Sequence, residues 1–160
     1  MLVAASVALA LLGLAVVAIL PARAPSPALS QLLVMHNTLV ASRSRVGQAI
    51  EGPHDQSPSL EQEVSGVLEG RLVESWVYQL DREVLTVHRL EDNSLIPKSA
   101  SHLPIRDRRV SFFELEDLTA LAWRPEAGKL IVVLGAGSLP TQLRLANWLD
   151  ANPPVIQAPQ

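Results

Sequence analysis

Apolar and polar positions are spaced in three different ways along this chain. Residues 1–20, MLVAASVALALLGLAVVAIL, are apolar almost throughout; only Ser6 and Gly13 interrupt, and no side chain is charged. At 1.5 Å per residue such a run makes about 30 Å of helix, the thickness of a bilayer core. The pattern predicts a transmembrane anchor at 1–20, with residues 2–20 in the lipid. A cleaved signal peptide is the rival, because Ala22-Arg23-Ala24 has the form of a cleavage site. Against it, no Lys or Arg precedes the run, and Pro25 follows the site.

Residues 21–27, PARAPSP, hold three prolines in seven and predict a short stiff spacer. Ser26-Pro27 then has the form of an N-cap and first-turn proline. Over 28–50 the period becomes helical: Leu29, Leu32, Leu33, Leu39, Val40, Val46 and Ile50 fall at spacings of three, four and seven. This predicts an amphipathic helix, with Arg43 and Arg45 near its far end and Gly52-Pro53 as its stop. Residues 51–59, EGPHDQSPS, predict a polar linker. The stretch 60–69 fits two elements. Ser59 and Gln62 have capping-box spacing ahead of Leu60, Val64, Val67 and Leu68, yet the same residues fit an irregular first strand.

From residue 71 the period is two. RLVESWVYQL and EVLTVHRL flank Asp81-Arg82, a hairpin turn. RVSFFEL, DLTALAW and KLIVVLG follow as strands, with a Pro125–Gly128 hairpin loop between the last two. Ser138 caps a helix over 139–150, which Asn152-Pro153-Pro154 ends. The expected architecture is α+β: about five short antiparallel strands, in sandwich-like order, closed by a C-terminal helix. It occupies 60–152, with a flexible tail at 153–160. No crossover helix separates the strands, so a parallel sheet is not expected.

Composition narrows the class. The chain has 160 residues and is 48% hydrophobic, and no second run like 1–20 exists. A polytopic membrane protein is excluded, and a single-pass protein is expected. The nearest positive side chains, Arg23, Arg43 and Arg45, all follow the run, which places the domain on the cytoplasmic side. A net charge of −3 argues against nucleic acid as partner. The absence of cysteine removes disulfides and thiolate chemistry.

Candidate chemistry is sparse. Gly135-Ala136-Gly137-Ser138 follows a strand and opens a helix, as a dinucleotide loop does, but the third glycine is missing and no acidic ribose ligand can follow. A strand-to-helix turn is the expectation. His36, His54, His88 and His102 are never three or four residues apart, so no local metal pair forms. His54-Asp55 reads as a solvated loop pair, and His88 as an exposed position on a strand. Ser99, Ser101 and His102 are near in sequence but lack an orienting acid. No catalytic, cofactor-binding or metal residues are expected, and no small-molecule substrate is inferred. Charge is segregated: 51–69 is acidic, whereas 98–109 holds Lys98, Arg106, Arg108 and Arg109. These arginines, with Phe112 and Phe113, are the candidate partner-binding residues, for an acidic protein or anionic lipid. Adjacent strand residues face opposite ways, so one phenylalanine is expected in the core and the other at the surface.

Two stretches resemble known families. LALLGLAVVAILP, residues 8–21, resembles the N-terminal helix of type IV pilins and pseudopilins, with Gly13 and Pro21 at their spacing. A further helix and antiparallel strands continue in that order. The basic leader ending in glycine is missing, and Ala4 stands about where a glutamate would fall. The last strands and the helix with Leu143 and Trp148 are similar in order to bacterial PH-like domains on membrane proteins. The expected function is a membrane-anchored, non-enzymatic binding or assembly module attached to a membrane protein complex. The pilin resemblance implies instead a structural subunit of a pilus or secretion apparatus.

Overall fold

A computed structural model describes residues 26–46, 57–91, 95–105, 108–125 and 129–154. The apolar run at 1–20, its spacer up to residue 25, His54-Asp55 and the tail from 155 lie outside the described residues. Among the described residues, no helix is long and apolar enough to cross a membrane.

The element order is α1 (Pro27–Val46), β1 (Ser59–Leu68), β2 (Arg71–Leu80), β3 (Glu83–Leu90), β4 (Ser101–Ile105), β5 (Arg108–Leu115), β6 (Leu118–Trp123), β7 (Leu130–Gly135) and α2 (Leu139–Ala151). The protein is α+β, with a seven-stranded antiparallel sheet in the order β1-β2-β3-β7-β6-β5-β4. Seven strands replace the expected five, and one continuous sheet replaces a sandwich. The two additional strands are its edges. β1 comes from the undecided stretch 60–69, and β4 from residues 101–105, to which the pattern assigns no element. The amphipathic helix reaches Val46, and residues 47–50 lie outside the described set.

Tight turns set the register. Leu68 pairs with Arg71 across Glu69-Gly70, whose φ angles are 50° and 80°. Two successive positive φ values match the right-handed strand twist of a type I′ hairpin. Asp81 and Glu116 also take positive φ in the β2–β3 and β5–β6 turns. The two meanders, β1–β3 and β4–β7, join where β7 pairs with β3. Leu95 and Ala100 of the β3–β4 connection share a core cluster with α1, so that connection passes over the same face.

Every residue of β7 is buried, because both faces of the sheet are covered. Leu130, Val132 and Leu134 join the α1 cluster, with Leu29, Leu32 and Leu33 of the helix. Ile131 and Val133 join the opposite cluster, with Leu145, Ala146 and Leu149 of α2. Phe113 and Phe112 divide in the same way. Phe113 is buried on the α1 side, and Phe112 packs half-buried on the α2 side.

The Gly135–Ser138 segment is a turn shaped by packing. A Cβ at Gly135 would stand 2.3 Å from Leu85 Cδ2 and 3.2 Å from the Val84 carbonyl. The Ser138 N–H donates to Glu83 Oε1 at 3.3 Å, so a carboxylate of this chain already faces the α2 N-terminus. Ser138 Oγ accepts from the Thr141 N–H, as an N-cap does. Gly135→Ala should therefore destabilise the domain by about 1–3 kcal/mol through overpacking. Chemical denaturation compared with wild type measures it.

Candidate functional site

The α1 stripe carries one polar residue among its apolar ones. Ala28, Leu29, Leu32, Leu33 and Leu39 are buried, and so is His36. Beneath it, the register pairs Ser75 of β2 with His88 of β3, and Thr86 lies two residues before His88 on the same face. Thr86 and His88 are fully buried. His88 is thus a core residue, and not the exposed strand position expected from its sequence context.

These side chains form one hydrogen-bonded chain. His36 Nδ1 lies 2.8 Å from Thr86 Oγ1, which lies 2.8 Å from His88 Nε2. His88 Nδ1 lies 2.9 Å from Ser75 Oγ, and Ser75 Oγ donates to Met35 Sδ at 3.3 Å. Ser75 Oγ is within reach of two acceptors, the Met35 thioether and, in one tautomer, His88 Nδ1, and the ring tautomers set which way the protons run along the chain.

Burial favours neutral rings. Burial pushes the His88 pKa down to about 3, and the neighbouring His36 adds to the shift. Burial also lowers the His36 pKa. What the chain does is tie α1 to β2 and β3 through groups that would be costly to bury unpaired. Among the described residues, no three metal-ligating side chains converge.

Met35 also opens onto the surface. It lines a groove of about 480 Å³ between α1 and β1, with Val34, Leu39, Val64, Val67 and Leu68. Val34 and Val67 are among the most exposed aliphatic residues of the domain.

The sequence-derived contact residues are dispersed. Arg108 forms an ion pair with Asp150 of α2 and lies 5.0 Å from the centre of the Trp123 ring. It therefore fastens α2 to the sheet edge. Phe113 is in the core, and Phe112 is half covered. Arg109 is exposed on β5, opposite Pro104 of β4, and Arg106 lies outside the described residues. His102 is exposed and contacts Ser111 Oγ at 3.2 Å. A parallel arrangement sits across the sheet, where Arg89 pairs with Glu74 and lies 5.2 Å from the Trp76 ring centre. The Arg89 guanidinium lowers the Glu74 pKa, chiefly through that hydrogen bond.

Sequence spacing alone missed the His36–His88 convergence, because the two lie far apart in the chain. A signal was present: position 36 continues the stripe 29, 32, 33, and position 88 alternates with Val87 and Leu85. No family model matches the chain, and neither curated proteins nor solved structures give a match.

Thr86 is the joint between the two rings. Thr86→Val keeps the shape and removes the hydroxyl, leaving two ring nitrogens without their partner. The expected cost is about 2–4 kcal/mol, read by denaturant unfolding. The histidines also set an acid limit. Unfolded, each titrates near 6.5; folded, both are held below that. The unfolded chain then binds more protons below that pH, so stability is full above 6.5 and falls on acidification towards about 3. Between about pH 7.5 and about pH 4.5 the loss should be about 1–3 kcal/mol. His88→Gln, which cannot titrate, should flatten the fall of Tm with acid while lowering Tm itself.

Proposed function

We propose that the chain is a single-pass, membrane-anchored binding or assembly module, non-enzymatic, whose domain meets a membrane protein complex. The observation that carries this reading is the short distance between the apolar run and the folded domain. α1 opens at Pro27, and the six residue steps from Leu20 to Ser26 reach at most about 21 Å. A domain on so short a tether stays at the membrane surface, where its partners are other membrane-bound proteins. The excess of positive residues after the run supports a cytoplasmic-side domain.

The β4–β5 edge is the proposed contact surface, centred on exposed Arg109 and on Arg106. Arginine there can make paired hydrogen bonds to carboxylates. Arg108 belongs to the α2 attachment, and its removal would disturb the fold, so it is left in place in the test.

Carbonate-washed membranes should retain the full-length chain, and release into the soluble fraction would overturn the anchor. Purification in mild detergent should bring down a larger membrane complex. A pilus or secretion apparatus in its place would support the structural-subunit reading, and a lone monomer with turnover would support an enzyme. The double variant Arg106→Ala/Arg109→Ala should weaken co-purification by about 1–2 kcal/mol in affinity with normal thermal unfolding. Unchanged co-purification would move the contact to another surface.

A further inference from the structure

We infer that the domain rests on the lipid bilayer through one end of its sheet, with Val67 and Leu72 of the β1–β2 hairpin in the headgroup region. The inference rests on the anchored reading above, and identifies the surface that faces the lipid.

Direction comes from α1. The Glu69 N–H donates to Gln31 Oε1 at 3.4 Å, near the start of the helix. Ser42 Oγ, near its other end, donates to Gln62 Oε1 at 3.3 Å. α1 therefore runs antiparallel to β1, and Pro27 lies at the same end of the sheet as the Glu69-Gly70 turn. The chain from the apolar run enters the domain at this end, with at most about 21 Å between Leu20 and Ser26. A ten-residue strand such as β1 is about 33 Å long, so the opposite end of the sheet stands well away from the lipid.

The surface at this end suits a bilayer. Val67 and Leu72 are 66% and 59% exposed, and they are register partners, so their side chains lie together on one side of the hairpin. Val34 of α1, 65% exposed, lies at the same end on the other face of the sheet. An aliphatic cross-strand pair beside a tight turn can enter the interface without burying the free ends of the sheet. Charge has the same polarity. The strand register places Arg71, Arg89, Arg108, Arg124 and Lys129 at this end, against Glu69, Glu74, Glu91 and Asp150. At the other end Asp81, Glu83, Glu114, Glu116 and Asp117 outnumber Arg82 and Arg144. The named charges of the first end nearly balance, several of them in ion pairs, whereas the second end is net negative, so anionic headgroups disfavour the second end.

The chain has no cysteine, so single labels can be placed cleanly. Full-length Val67→Cys, Leu72→Cys, Glu116→Cys and Ala10→Cys would each carry an environment-sensitive fluorophore. They would be reconstituted in vesicles of phosphatidylcholine and phosphatidylglycerol, with and without spin-labelled lipid. Headgroup-level spin labels should quench positions 67 and 72 at least about twofold more than position 116, and deep spin labels should quench position 10. Quenching at 10 with none at 67 and 72 would overturn this inference and leave the anchor intact. A blue-shifted but unquenched label at 67 and 72 would overturn it in favour of a protein covering that pair, a second copy included. Quenching at 67 and 72 without quenching at 10 would support the lipid contact while overturning the anchor.

Discussion

A sheet buried on both sides needs two covers, and the fold follows from how few residues supply them. β7 sits at the centre with all six residues buried. Its alternate side chains belong to two separate cores, one beneath α1 and one beneath α2. α2 follows β7 directly, so its placement costs little chain. α1 comes from the other end of the sequence and must be fastened by contacts. It has the apolar row at Leu29, Leu32 and Leu33, and beyond it the hydrogen-bonded chain from His36 to Ser75. The apolar row supplies attraction without a fixed register. The polar chain fixes the register, since a shift of one residue would leave two imidazoles buried without partners.

The same chain brings a serine, a threonine and two histidines into contact in a buried core. Each hydroxyl lies between two partners, and the chain ends at the Met35 sulfur. Neutral rings also keep this core free of net charge, so it costs less to bury than an ion pair would. Two ion pairs among the described residues, Arg89 with Glu74 and Arg108 with Asp150, lie on the α2 face over tryptophan rings, partly open to water.

How much of this was legible in the sequence depended on coverage. The five expected strands, β2, β3, β5, β6 and β7, are the inner ones, where burial on both faces selects Val, Leu, Ile, Trp and Tyr. The two edge strands have only one neighbour, and their sequences are free to carry Glu61, Glu63 and Gly66 in β1 or Pro104 in β4. Proline is tolerated on an edge because its missing N–H faces no partner strand. Such residues erase the alternation that marks a strand, and an extra residue between Leu60 and Gln62 shifts the β1 register as well. The Ser138 cap was legible because local chemistry decides it. The histidine convergence depends on tertiary contact between α1 and β3, and no local pattern reports that. The contact residues proposed from charge met the same limit. Sequence shows Arg108 beside Arg109, and only the fold shows that one turns to Asp150 while the other is exposed.

The direction of α1 has a further consequence for how partners reach the domain. In the proposed orientation, with the Pro27 end towards the lipid, the strands stand along the membrane normal, the turns at Asp81 and Glu116 point away from it, and both sheet edges, β1 and β4, face sideways. In that orientation a partner anchored in the same bilayer would approach from the side and meet an edge strand before either helix. The two edges differ in kind. β1 is long, acidic at Glu61 and Glu63, and bordered by the apolar groove under Val34. β4 is short, interrupted by Pro104, and backed by Arg109. Strand addition to β4 is therefore limited by its length and its proline, which favours side-chain contacts at the proposed arginine surface.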